Sequence, residues 1–367
     1  MIEESDMFRK LTKLAEQSLH KERVLQRFEQ PKLTDLFWET TLNCNAHCKH
    51  CGSNASMCAR TDELITEEIR DTFTMIARDM DASEIFIHVT GGEPLLRNDV
   101  FEVMTAASEL GFTWGMTSNG MLFDDSLILK AEKAGMSTIA ISIDGLETCH
   151  DTFRGVKGSY QSVLTNIMKL RDARFLKHLQ VITVVHKYNL SELEELYHVM
   201  CTLGIDSWRL TSVDPIGRAL HNQHLLLDGA EHRLMMDFIK KKRRTKGLLI
   251  TYGCSSYLGL QYEKEVRNHF FSCRTGISIA SILYNGDISV CPNVPRHPSY
   301  IQGNIKYDSF VAVWEQQFSI FREQDRTISD TCRQCEELEH CFGGSFHTWD
   351  MIQQKQTKCI YELMNSV

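Results

Sequence analysis

Three cysteines in the run Cys44-Asn-Ala-His-Cys48-Lys-His-Cys51 constrain this chain more than any other feature. Structural zinc sites close on four N or S ligands, usually as paired Cys-x2–4-Cys units. A lone Cys-x3-Cys-x2-Cys trio suits a cubane [4Fe–4S] cluster instead, because the fourth iron then lacks a protein ligand and stands open to chemistry. From the trio alone, zinc knuckle and cluster remain alternatives. The rest of the chain decides between them.

At 367 residues the chain has room for one large domain and a smaller one, each with a core. A net charge of −8 argues against nucleic acid as a partner. The run Lys240–Lys246 is the one basic cluster and reads as a solvated helix end rather than a binding patch. No segment reaches the ~18 consecutive apolar residues of a membrane span. The N-terminus is charged from its third residue and lacks a secretory apolar core, so a cytoplasmic protein is expected. Thirteen cysteines in such a chain point to metal binding or catalysis rather than disulfides.

Residues 6–29 read as a polar helix within an N-terminal extension, 1–35. Short β-rich runs then alternate with helical patterns: Leu36–Thr41, Glu84–Thr90, Thr113–Ser118, Thr138–Ile143, Gln180–Val185 and Ser207–Ser212. Between them Thr66–Met80 places Ile69, Phe73, Ile76 and Met80 on one face. Asp99–Leu110 ends at Gly111, and a later helix ends at Gly135. Ser159 is expected to cap a helix. Ser191 with Glu194 reads as a capping box on a helix that stops at Gly204. Six strands with crossover helices predict an α/β fold, a partial (β/α)6 TIM-like barrel over 36–247, with 213–247 as connector and a helix at 230–242. From 248 to 367 cysteine density rises and helical periodicity fades. Ser281–Tyr284 and Asp287–Val290 predict a hairpin across Asn285-Gly286. This second part reads as a metal-organised domain.

In α/β barrels the reactive groups collect at the C-terminal ends of the strands. Here the first strand runs into the Cys44–Cys51 loop and the second ends in Gly91-Gly92-Glu93-Pro94. The two glycines are expected to let backbone approach a ligand, and Glu93 to offer a carboxylate to an ammonium group. The third strand ends in Ser118-Asn119-Gly120 and the fourth in Ser142-Ile143-Asp144-Gly145, polar groups suited to a ribose or an amino acid. Each tetrapeptide alone is a common turn. Their order at successive strand ends is not.

That order resembles the radical S-adenosylmethionine (SAM) superfamily. The resemblance implies that Cys44, Cys48 and Cys51 hold the cluster and that its open iron chelates the amino and carboxylate groups of SAM. It further implies that Gly91, Gly92 and Glu93 meet the methionine amine, and that Ser118, Asn119, Ser142 and Asp144 contact ribose or carboxylate. Arg154, in His150-Asp-Thr-Phe-Arg-Gly155, would bring a cation to the SAM carboxylate. Pro215-Ile-Gly-Arg-Ala219 is likewise similar to a segment of one branch. Cys273 and Cys291, with Cys332, Cys335, Cys341 and Cys359, resemble the SPASM domain, which implies one or two auxiliary [4Fe–4S] clusters. The family expects a cysteine where this chain has Ser345. The second auxiliary cluster, on Cys332, Cys335, Cys341 and Cys359, keeps its full set. The first is lost, recruits Cys254 and keeps an open iron, or uses the Ser345 oxygen. Outside these patterns, Cys201 is expected in the core, and Cys58 and Cys149 are candidate hydrogen donors to a substrate radical.

The resemblance implies reductive cleavage of SAM to a 5′-deoxyadenosyl radical, and modification of a ribosomally made peptide by crosslinking, epimerisation or oxidation. Maturation of a protein, as in anaerobic sulfatase maturases, or dehydrogenation of a small molecule are alternatives. The stretch 1–35 is too short for a winged-helix leader-binding domain, so the leader is expected on the barrel surface or on a separate small protein. A flavodoxin- or ferredoxin-type donor would supply electrons.

Overall fold

A computed structural model describes residues 2–58, 62–245, 247–253 and 255–366, with side chains from residue 15 onward. A long helix, α1 (Ile2–Glu29), precedes a run of β/α units. The strands are β1 (Asp35–Glu39), β2 (Phe86–Thr90), β3 (Thr113–Ser118), β4 (Thr138–Ser142), β5 (His178–Val185) and β6 (Ser207–Ser212). Between them lie α2 (Thr66–Asp79), α3 (Val100–Glu109), α4 (Asp125–Lys133), the pair α5 (Glu147–Arg154) and α6 (Ser159–Ala173), and α7 (Leu193–Leu203). All six strands pair in parallel and in sequence order.

The sheet does not stop there. Helix α8 (Gly229–Arg243) leads into β7 (Leu249–Tyr252), parallel to β6, and β8 (Ile279–Ile282) pairs in parallel with the far side of β1. β9 (Asp287–Ser289) and β10 (Ile301–Asn304) follow antiparallel, giving one ten-stranded open sheet ordered β10-β9-β8-β1-β2-β3-β4-β5-β6-β7. The Asn285-Gly286 hairpin therefore extends the barrel sheet, and a strand that fading helical periodicity concealed, β7, forms its other edge.

Alternation along the strands explains the layering. Ile87 and Val89, Ile139 and Ile141, and Leu179, Val181 and Val185 are buried against the helices, where Ile69, Phe73, Ile76, Val103, Val163 and Leu196 meet them. Trp38, Trp114 and Trp208 are fully buried, each contributing about 2–3 kcal/mol of apolar transfer. Trp114 Nε1 donates to the Ala134 carbonyl at 3.0 Å and Trp208 Nε1 to Thr183 Oγ1 at 2.8 Å, which satisfies their polar edges.

Four local expectations are corrected. Ser159 is the first residue of α6 rather than its cap. Asp151, from α5, accepts from the Gly158 and Tyr160 amides and from Ser159 Oγ, so a carboxylate on the preceding helix takes the capping role. The Ser191/Glu194 box does not form. Residues Leu190–Glu192 make a 3-10 turn into α7, and Glu194 turns out to pair with Lys241 and Lys242. The basic run is accordingly not a fully solvated end: Lys242 is buried over the Tyr197 ring at 4.0 Å, and Arg243 donates to the Ile250 carbonyl at 2.6 Å. Cys201 is exposed on α7, while its neighbour Met200 is buried.

Candidate active site and iron–sulfur centres

The loops at the C-terminal ends of β1–β4 surround an open cleft enclosing about 770 Å³. Cys44, Cys48 and Cys51 line it together with Gly91, Gly92, Ser118, Asn119, Ser142 and Arg154. Cys44 and Cys48 are buried and Cys51 is half-buried. Burial pushes the Cys44 thiol up to about 11 and raises that of Cys48, which the neighbouring Arg154 guanidinium partly offsets. Thiols held in this way shed their protons when metal takes the proton's place.

The cysteine loop is clamped from two sides. The His47 and Lys49 amides donate to the Arg154 and Phe153 carbonyls at 2.9 and 3.0 Å, tying the loop to the end of α5. Arg218 Nε donates to the Cys48 carbonyl at 2.7 Å and Arg218 Nη1 to the Ala55 carbonyl at 2.8 Å. Asn222 Nδ2 reaches the Lys49 carbonyl at 3.1 Å. Gly217 passes so close that a Cβ there would lie 2.3 Å from the Cys51 carbonyl. The Pro215–Ala219 segment is thus the clasp of the cysteine loop.

Gly91 and Gly92 serve the same end. A Cβ on Gly92 would stand 2.2 Å from the Asn43 carbonyl, and one on Gly91 2.6 Å from that of Thr41. Their amide neighbours close the contact, Gly92 N to Thr41 O at 2.7 Å and Glu93 N to Asn43 O at 2.8 Å. The close approach anticipated for a ligand is first of all an approach of the β2 loop to the cysteine loop.

Glu93 does not open onto the cleft. It is fully buried, its Oε1 accepts from Ser118 Oγ and its Oε2 from the Asn119 amide, both at 2.8 Å. Burial raises this carboxyl to about 7, against the pull of those donors. Glu93 organises the end of β3, and Ser118 and Asn119 face the cleft in its place.

Asp144 is also sealed off, its Oδ2 2.7 Å from Arg154 Nη2 and its Oδ1 accepting from the Val184 amide at 2.7 Å. Burial raises the Asp144 carboxyl, and Arg154 holds it back. Arg154 Nη1 meanwhile donates to Cys48 Sγ at 3.5 Å, and its buried Nε has no partner. Arg154 lines the cleft beside the cysteines, and a guanidinium there fits an anionic group of a bound ligand.

His50, Thr90, Thr117 and Asn293 also line the cleft and were missed from sequence. His50 and Thr90 sit inside or beside motifs already singled out, and only the inward face of β3 would have disclosed Thr117. Cys58 and Cys149 are not among the lining residues. Cys58 is exposed. Cys149 Sγ lies 3.9 Å from His186 Nε2, and burial pushes its thiol up to about 12.

A second, partly open pocket of about 440 Å³ is lined by Cys332, Cys335, Cys341 and Cys359. Its wall includes Tyr257, Gly343, Gly344 and Lys358. Burial raises the Cys341 thiol and pushes that of Cys359 up to about 11. Four thiols around one cavity, with Ser329 Oγ donating to Cys332 Sγ at 3.2 Å, fit a fully cysteine-ligated cluster. Cys291 is buried and Cys273 half-buried. Cys254 lies outside the described residues. Ser345 is buried, and its hydroxyl donates to the Ser255 carbonyl at 2.7 Å.

The family model of the radical SAM superfamily matches residues 38–200, and that of the SPASM iron–sulfur cluster-binding domain matches residues 273–336. An AdoMet-dependent heme synthase of Nitratidesulfovibrio vulgaris is 26% identical over 337 residues, covering 86% of this chain and 88% of that protein. A PqqA peptide cyclase of Rhizobium meliloti is 25% identical over 312 residues, covering 83% and 80%. The structure of Streptococcus suis SuiB bound to S-adenosylmethionine superposes with a TM-score of 0.70 at 18% identity, over 92% of this chain and 80% of that one.

Proposed function

From a chain that belongs to the radical SAM superfamily and carries a SPASM domain, we propose an enzyme that modifies a ribosomally made peptide, by crosslinking, epimerisation or oxidation. In this reading Cys44, Cys48 and Cys51 hold the SAM-binding [4Fe–4S] cluster, and Cys332, Cys335, Cys341 and Cys359 hold an auxiliary one. When bound, cluster and SAM supply a 5′-deoxyadenosyl radical that takes hydrogen from the substrate. The chain's own residues bind and orient. Arg154 takes the SAM carboxylate, the Gly91–Gly92 backbone receives the amine, and Ser118, Asn119 and Ser142 meet the ribose. Glu93 and Asp144 hold these groups in place from behind. Arg218 and Asn222 fix the cysteine loop.

One observation carries the choice of a peptide: neither arginine on the cleft wall is left for a substrate carboxylate. Arg154 pairs with Asp144 and Cys48 and serves SAM in this reading, and Arg218 is bound to loop carbonyls. Burial also keeps His50 uncharged. A polycarboxylate such as a porphyrin precursor wants free cations at its carboxylates, whereas a peptide backbone asks for amide and hydroxyl partners such as Thr90, Thr117 and Asn293 on the cleft wall. The similarity to the PqqA peptide cyclase agrees with this. A leader-binding protein and a flavodoxin- or ferredoxin-type donor complete the reading, with a cytoplasmic location. Among the described residues no helix is long and apolar enough to cross a membrane.

The second reading is heme synthesis, favoured by the 88% coverage of the heme synthase. Anaerobic reconstitution with reductant and SAM separates the two. Peptide-dependent release of 5′-deoxyadenosine, with a peptide altered in mass or carrying solvent deuterium, supports the proposal. Heme formed from an iron porphyrin precursor, with candidate peptides untouched, overturns it.

A further inference from the structure

The position where the SPASM pattern expects a cysteine holds Ser345, and its side chain is turned away to bond backbone. Its hydroxyl is spent on the Ser255 carbonyl at 2.7 Å, and its own carbonyl accepts from Gln356 Nε2 at 3.2 Å. Directly after it the chain makes a 3-10 turn, Phe346–Thr348, and the ring at its centre is turned into the protein. That ring is His347. It is buried, and its Nε2 lies 3.7 Å from Cys291 Sγ.

Phe346, on the same turn, packs beside the surroundings of Cys273. Its ring is 6.1 Å from that of Tyr300 and 5.2 Å from the Arg326 guanidinium, which donates to the Cys273 carbonyl. The turn thus brings the His347 ring to Cys291 and packs Phe346 against the arginine that holds the Cys273 backbone. Arg326 is fully occupied by the Thr275, Phe321 and Cys273 carbonyls, so it fixes backbone and contributes no ligand.

We propose that His347 Nε2 replaces the missing cysteine as a ligand of the first auxiliary cluster, alongside Cys273 and Cys291. The donor set fits. Imidazole replaces thiolate in known iron–sulfur centres, and the His347 Nε2 atom already stands beside Cys291 Sγ. The Ser345 hydroxyl, by contrast, would have to give up its bond to Ser255. Exchanging a thiolate for a neutral ring removes one negative charge from the ligand set, so this cluster accepts an electron more readily than an all-cysteine one. The inference concerns a ligand set and is independent of which substrate the enzyme takes.

The test uses the full chain carrying Cys44→Ala, Cys48→Ala and Cys51→Ala, which removes the SAM-binding cluster, reconstituted anaerobically and reduced. Pulsed EPR on protein grown with 15N-histidine is expected to show a hyperfine coupling that follows the isotope. His347→Ala is expected to lose that coupling, together with part of the iron and sulfide. His347→Cys is expected to restore both metal and sulfide without the coupling, and to shift the reduction potential downward. No isotope-dependent coupling in the His347 protein, a coupling that survives in His347→Cys, or a potential unmoved by His347→Cys would each overturn the assignment. The readouts are spectra, composition and potential, so they stand whether or not a peptide is the substrate.

Discussion

Arg154→Gln probes the junction between the cleft and the barrel floor. The substitution removes the cation 2.7 Å from Asp144 Oδ2, and Asp144 is fully buried. Breaking a buried pair from one side costs about 3–5 kcal/mol, because the remaining charge is left without compensation. For a chain of 367 residues the unfolding entropy is about 0.8 kcal/mol/K. The midpoint of thermal unfolding at pH 7.5 should therefore fall by about 4–6 °C. The pH dependence has a definite sign. Burial already raises the Asp144 carboxyl, and without Arg154 it rises further, so the native state can take up a proton and shed the unpaired charge. The deficit should shrink as pH is lowered and widen as it is raised. Adding Asp144→Asn to Arg154→Gln should recover most of the loss. Differential scanning calorimetry of the four proteins of this cycle, over a range of pH, is the assay. A single variant within about 1 °C of the parent, or a double variant no better than Arg154→Gln, would refute the reasoning.

Other perturbations follow from neighbouring contacts. Gly92→Ala forces a Cβ to within 2.2 Å of the Asn43 carbonyl. It should cost about 1–3 kcal/mol and lower the iron bound by the Cys44 loop, measured by colorimetric iron in a variant lacking the C-terminal cysteine ligands. Glu93 has its carboxyl raised from 4.5 to about 7, so between those values the native state holds a proton that the unfolded chain has released, and stability falls as pH rises. Glu93→Gln should flatten that slope, worth about 3 kcal/mol across the window, in urea titrations at successive pH. Lys358 Nζ donates to Ser212 Oγ, the Val213 carbonyl and Asp214 Oδ1 at 2.9, 2.7 and 3.1 Å. Ser212 Oγ keeps its contact with Tyr252 Oη, but Lys358→Met leaves the buried Val213 carbonyl without this donor at about 1–3 kcal/mol, and should speed proteolysis after β6.

Much of the arrangement was legible in the sequence because its signals are local. β3 and β6 have the bounds their alternation predicts, and Thr66–Asp79 buries the stripe of Ile69, Phe73 and Ile76. The cysteine loop and the three polar strand ends meet at one cleft, as their positions after successive strands imply. What escaped notice depends on contacts distant in sequence. The roles of Gly92 and Gly217 became visible only once the Thr41–Gly52 backbone lay against them. Glu93 reads as an exposed acid in Gly-Gly-Glu-Pro, yet the Asn119 amide turns it inward. Asp151 outcompetes Ser159 as a cap from a neighbouring helix. β7 has only four residues, too few for alternation to register. His347 lies two places beyond the motif it serves, where no cysteine-based pattern would look.

The hairpin strand β8 hydrogen-bonds along β1, the strand that delivers Cys44. Cutting the chain ahead of residue 279 would do more than discard auxiliary thiols. It would bare one flank of β1 along its length, an invitation to strand-to-strand aggregation, and slacken the mooring of the loop that follows. Whatever strains the C-terminal lobe, such as the arrival of a bulky partner, is felt within one strand's width of the strand that leads into the Cys44 loop.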